Sequence, residues 1–91
     1  CLHRIPNYNQ ILWYKKSNQE LQLLGYMYFN NPNIENGINA TIEGDANKDK
    51  TCTLILESLD LHSSAVYFCA ANTVTNTQPA YFGPGTKLTV L

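Results

Sequence analysis

The sequence predicts an all-β fold, an antiparallel sandwich or barrel, on three observations. Short apolar stretches alternate with period two, clusters of Asn, Asp, Gly, Pro and Ser separate them, and no stretch carries a credible helical period. At 91 residues the chain has room for one core, near the size at which core burial alone leaves little stability to spare.

From Ile11 to Tyr28 the stretches ILWYKK and LQLLGYMY, separated by the polar Ser17-Asn18-Gln19-Glu20, read as the two strands of a hairpin. Phe29 to Gly37 (FNNPNIENG) is so crowded with Asn, Pro and Gly that it reads as a loop. Ala40 and Ile42 then point one way and Thr41 and Glu43 the other. Turn chemistry at Gly44-Asp45 and Asn47-Lys48-Asp49-Lys50 precedes a second alternation from Thr51 to Leu56. There Cys52, Leu54 and Leu56 share the core face, and Leu59 begins a corner with Asp60 and Leu61. In Ser64 to Cys69 the two faces, Ala65/Tyr67/Cys69 and Val66/Phe68, are both apolar, so both need cover. Ala71 to Pro79 is loop-like. Tyr81-Phe82-Gly83-Pro84-Gly85 leads into an alternating strand, Thr86 to Leu91, whose Leu88 and Val90 return to the core face; the glycines allow a bulge from which Phe82 projects.

Composition excludes several functions. A net charge of -1 with 14% charged residues provides no basic field for a nucleic acid or an anionic membrane. No run is long enough to span a bilayer, and no direct membrane contact is expected of this segment. Cys1, Cys52 and Cys69 lie far apart, without the Cys-x-x-Cys pair of a zinc or redox site, and their odd number leaves one over. His3 and His62 fall in no metal-ligand spacing, although Cys1-x-His3 is formally possible, and His62-Ser63-Ser64 is not a triad, whose members are usually remote in sequence. No helix follows the glycines, so they cradle no phosphate. Neither a catalytic residue nor a cofactor or metal is expected.

Cys1, Trp13, Tyr67 and Cys69 stand in an order that resembles antibody-type variable domains, where one disulfide joins two sheets and packs on a Trp, and a Tyr two residues before the second Cys ties down a corner. That resemblance implies an immunoglobulin V-type two-sheet antiparallel sandwich with a Cys1–Cys69 bond and Trp13, Tyr67, Leu54, Leu56 and Leu59 in its core. Phe82-Gly83-Pro84-Gly85-Thr86 is similar to the Phe-Gly-x-Gly-Thr of a joining segment; a generic Gly-Pro turn would explain its glycines but not their distance from SAVYFCAA. Taken with WYKK, LQLLGYMY and NTQPAYFGPGTKLTVL, these motifs resemble a T-cell receptor β chain, with the flavour of non-mammalian vertebrate sequences. An immunoglobulin light chain, whose λ type shares GTKLTVL, and an innate receptor of variable type are the alternatives. Measured against that frame, residues 1–91 form a partial variable domain, V-like over 1–71, with a junction at about 72–76 and a J-like 77–91. The first strand and most of the second are missing from it, and the fragment alone is expected to fold poorly.

The resemblance also implies sites. Recognition of a peptide on a major histocompatibility molecule belongs to three loops, Ile5 to Gln10, Tyr26 to Asn31 and Ala70 to Tyr81. Asn7, Asn9, Asn72, Thr73, Val74, Thr75 and Asn76 offer adaptable polar contacts, and Tyr8, Tyr26 and Tyr28 rigid contact area. Tyr14, Leu23, Phe68 and Phe82 form an outer apolar patch for a receptor α-chain variable domain, joined by Lys16, which replaces the Gln that usually pairs across that interface. Lys16 either reaches an acceptor on the partner or snorkels to the rim. Asn39 and Ser63 replace a customary Arg–Asp ion pair. Asn39-Ala40-Thr41 is an N-glycosylation sequon, unless the Asn39 side chain bonds toward Ser63. Cys52 is either a buried apolar filler or a bond to a second chain. The implied location is the cell surface, as the extracellular part of a membrane-anchored receptor.

Overall fold

The computed structural model describes residues 1–4, 6, 8–17, 20–57, 64–72, 81–83 and 85–89, with Tyr81 and Phe82 described by their backbone alone. Among them, eight strands form two antiparallel sheets. They are β1 (Gln10–Ser17), β2 (Glu20–Tyr28), β3 (Asn31–Ile34), β4 (Ala40–Gly44), β5 (Cys52–Leu56), β6 (Ala65–Asn72), β7 (Tyr81–Phe82) and β8 (Thr86–Leu88). The larger sheet runs β3-β2-β1-β6, with β7 and β8 both pairing the far side of β6, and β4 and β5 form the second sheet. Leu2 bridges to Thr51, and the backbones of Cys1 and Cys52 exchange hydrogen bonds of 2.7 and 2.8 Å, so the start of the chain lies against β5.

Both expected strand pairs are present, β1 with β2 and β4 with β5. The reading of Phe29 to Gly37 as a loop is corrected: Asn31–Ile34 is a strand paired with β2. Pro32 is compatible with it because β3 lies at the sheet edge. Tyr28 and Asn31 close a two-residue turn as a hydrogen-bonded pair, so the next pair, Met27 with Pro32, is one in which the missing N–H would point away from β2. Two bulges shape the sheet. The β1–β2 register shifts between Trp13 and Tyr14, leaving Leu24 as the extra residue. The pairings of β7 and β8 with β6 differ by one residue, the bulge expected at Gly83 to Gly85.

Ile11, Met27 and Cys69 of the larger sheet meet Ile42, Cys52 and Ala46 on the other side, with Tyr8 and Ala71 completing the buried core. Cys1 and Cys69 are disulfide-bonded with Cα atoms 6.5 Å apart, as the resemblance implied. Closing a loop across a sequence separation of 68 stabilises the fold by about 4 kcal/mol on the chain-entropy account.

The expected core is less closed at the other end. Tyr67 is buried, but Trp13, Leu54 and Leu56 are half-buried and, with Tyr67, Thr86 and Leu88, line an open apolar cleft of about 240 Å³. Their placement on the inward faces is as expected; their burial is not complete, because β4 and β5 are narrower than the sheet they cover. Leu59 lies outside the described residues.

Candidate recognition surface and pairing face

Antiparallel pairing brings the start of β1, the β2–β3 turn, the β4–β5 connection and the end of β6 to one end of the sandwich. Gln10 sits opposite both Tyr28 and Asn72, which sets the three strand ends level. Backbone hydrogen bonds then tie the loops in series. Asn9 N–H donates to Asn72 O (3.2 Å), Phe29 N–H to Asn9 O (2.8 Å) and Ala46 N–H to Phe29 O (2.7 Å). The buried His3 ring closes the line with Nε2 2.6 Å from Ala46 O; a carbonyl only accepts, so this nitrogen carries the proton.

The β4–β5 connection is itself fixed. Asp45 Oδ1 accepts from the backbone N–H and the side-chain amide of Asn47, at 2.8 and 2.6 Å, an Asx turn. Lys50 N–H then donates to Asn47 O, with Asp49 at φ 63°. Pro6, Tyr8, Asn9, Phe29, Asn47 and Lys48 surround a hollow of about 550 Å³ between these loops.

Several expected contact residues sit elsewhere. Tyr8 is 3% exposed and belongs to the core, its ring set against His3 at 6.4 Å, so it has no contact area to present. Tyr26 and Tyr28 lie within β2, half-buried, because the second loop is only the turn Phe29-Asn30. Asn72 ends β6 rather than standing in the third loop. Asn9 and Asn72 do reach the loop end, and each has a buried Oδ1 with no partner. Asn7 and Thr73, Val74, Thr75 and Asn76 lie outside the described residues. Phe29, Asn47 and Lys48 were legible only as loop and turn residues; nothing in their spacing marks them as lining a shared hollow.

A second surface lies on the outward face of the larger sheet. Tyr14 and Phe68, cross-strand partners, stack with centroids 5.6 Å apart and planes at 21°. Leu23 pairs with Tyr14, and Leu21, 57% exposed, with Lys16. Lys16 in turn pairs with Val66, and Val66 with Lys87. Phe82 joins through its backbone, opposite Ala70; its side chain lies outside the description.

Cys52 is fully buried with a free thiol. Desolvation pushes that thiol up, offset in part by the Trp13 indole and the N-terminal charge. The indole N–H of Trp13 is buried with no hydrogen-bond partner among the described residues. Asn39 is exposed just ahead of β4, its carbonyl accepting from Glu57 N–H at 3.0 Å. Ser63 lies outside the described residues. Cys1 is committed to the disulfide, which removes the Cys1-x-His3 metal pair, and among the described residues no group of three His, Cys, Asp or Glu is placed to hold a metal. No helix among them is long and apolar enough to cross a membrane.

Residues 2–91 match the immunoglobulin V-set domain family. The chain is similar to three mouse (Mus musculus) proteins. It is 33% identical over 91 residues to T-cell receptor beta chain V region C5, covering 98% of this chain and 75% of that one. Identity to V region PHDS203 is 34% over 86 residues (93% and 68% of the two chains), and to V region CTL-F3 32% over 90 residues (96% and 67%).

Proposed function

Starting from a chain that belongs to the immunoglobulin V-set family, as a variable domain of the T-cell receptor β type, we propose that it recognises peptide held by a major histocompatibility molecule, paired with an α-chain variable domain. The observation that carries this reading is the serial tie of the loops. Asn72, Asn9, Phe29 and Ala46 are joined backbone to backbone, so the bases of separate loops hold one relative geometry. A recognition surface needs such a base, because ordering loops on binding costs affinity. The stacked Tyr14–Phe68 pair with Leu21 and Leu23 is the partner face. The domain is a binding module and not an enzyme, and it works at the cell surface as the extracellular part of an anchored receptor.

Loop residues Asn7, Asn9, Asn72 and 73–76 are the proposed ligand contacts. The test is cell-surface display of the full-length chain with an α chain of known peptide–histocompatibility specificity. Exchanging residues 73–76 for Gly/Ser is expected to abolish staining by the multimeric ligand while the receptor stays on the surface. Staining that survives the exchange, or surface display with no α-type chain, would sink the reading.

Asn39 is proposed to carry an N-linked glycan. Its exposure just before β4, with Thr41 exposed two residues on, leaves the acceptor accessible. Glycosidase treatment of the secreted ectodomain should shift its mass by one glycan, and Thr41→Ala should remove that shift. An unshifted wild type excludes the site.

A further inference from the structure

We infer that the outer face of the larger sheet selects its partner by charge: it accepts a variable-type domain presenting a carboxylate side chain to Lys16 and Lys87, and it rejects a second copy of this chain. The inference rests on the proposed pairing and adds the chemistry of the partner. Lys16 and Lys87 are the two cross-strand neighbours of Val66, one from β1 and one from β8, so both lie on the face that carries Phe68 and Tyr14. Both are exposed, and neither is paired with a carboxylate among the described residues. Lys16 and Lys87 both line a hollow of about 440 Å³ that Val66 and Thr89 also border, so one side chain of a partner can approach both ammonium groups.

No acidic residue of the described chain neighbours the two lysines on this face. Glu20 alternates to the other side of β2 from Leu21, and Glu43, Asp45, Asp49 and Glu57 belong to the second sheet and its connections. Glu35 alternates outward from the inward-packed Ile34, but it stands past β3, at the far edge of the sheet from β6 and β8. The apolar surroundings set the stakes. Leu21, Leu23, Tyr14 and Phe68 reward a dry contact, but closing it strips water from two ammonium groups, which is costly unless a partner carboxylate receives them. A second copy packed face to face about Lys16 brings lysine against lysine, and like charges in a closing interface oppose assembly.

The test uses the full-length chain co-expressed with one receptor α-type chain. Cross-linking from position 16 first locates the α residue that faces Lys16, which is then set to Glu, Gln or Lys. Heterodimer yield is expected to fall in that order, by about tenfold from Glu to Lys. Lys16→Glu with Lys87→Glu should invert the order, and good assembly of that variant with the Lys-bearing α chain also shows that it folds. Yields indifferent to the facing residue, or an order that Lys16→Glu/Lys87→Glu leaves unchanged, overturn the inference; the lysines then extend to the rim in water. Phe68→Asp separates the two readings. If it leaves pairing intact, this face is not the interface and the proposed pairing fails. Loss of pairing with Phe68→Asp alongside charge-indifferent yields defeats the charge selection alone.

Discussion

All three cysteines converge on the core, and their bonding divides their chemistry. Cys1 and Cys69 bolt the two sheets, while Cys52 packs in the same cluster as a free thiol. Of the two expectations for Cys52, its complete burial supports the apolar filler and leaves no route to a second chain without unfolding. Burial also has a pH signature. Desolvation raises the folded-state thiol above its unfolded value, so as pH climbs past about 8.5 the unfolded thiol ionises first, folding must take up a proton, and stability falls. Below that pH both states are protonated and the contribution is constant. The urea midpoint of the ectodomain should therefore drop more between pH 7 and pH 10 in the wild type than in Cys52→Ala, and native-state alkylation of Cys52 should be slow until denaturant is added. Equal drops in the two proteins, or rapid native labelling, would contradict this burial. That Cys52 faces inward was legible from the alternation of TCTLIL; that it clusters with Ile11, Met27 and Cys69 was not, because that packing joins strands remote in sequence.

At the scale of elements, the hairpins were legible where side chains alternate and obscure where the backbone decides. β3 was read as loop because Asn-Pro-Asn scores against strand, yet an edge position tolerates Pro and its neighbours. The Trp13/Tyr14 register shift leaves no periodic trace either, since Leu23 and Leu24 are both apolar and either could have faced in. The turn at Gly44 was legible, and the structure adds the reason for its glycine. Gly44 holds φ 107°, and a Cβ there would collide with the carbonyl oxygen of Thr51, the residue just before β5. Gly44→Ala is expected to destabilise the ectodomain by about 2–4 kcal/mol, as backbone strain and a steric clash add at one site. Gly37 is the internal control: it too has positive φ, 83°, but nothing stands within 4 Å of an added Cβ, so Gly37→Ala should cost only about 1 kcal/mol. Thermal denaturation of both variants checks the order, and a Gly37 effect equal to that of Gly44 would show that the clash contributes nothing.

For the molecule as a whole, the sandwich and its disulfide followed from the Cys-Trp-Tyr-Cys frame, whereas the layout of the recognition end did not. The strand reading of LQLLGYMY already held Tyr26 and Tyr28, and β2 ends at Tyr28 as that stretch does, so they stand in the sheet although the resemblance assigned them to a loop, while Tyr8 turns into the core. What unites that end is backbone, invisible to side-chain patterning: Asn72 to Asn9 to Phe29 to Ala46, then the His3 ring. A serial tie has a consequence that separate loops lack, since cutting one link should disturb its neighbours. Asn9→Pro removes the N–H that donates to Asn72 O. Leaving that carbonyl unpaired should lower stability by about 1–3 kcal/mol, and amide exchange should quicken at Phe29 and Ala46 as well as at position 9's immediate neighbours. Asn9→Ala keeps the backbone donor and removes a carboxamide whose oxygen is buried without a partner, so it should leave exchange at Phe29 and Ala46 nearly unchanged. Exchange that quickens only beside residue 9 would mean that the hydrogen bonds form in line without coupling the loops, and the recognition end would then consist of independently ordered segments.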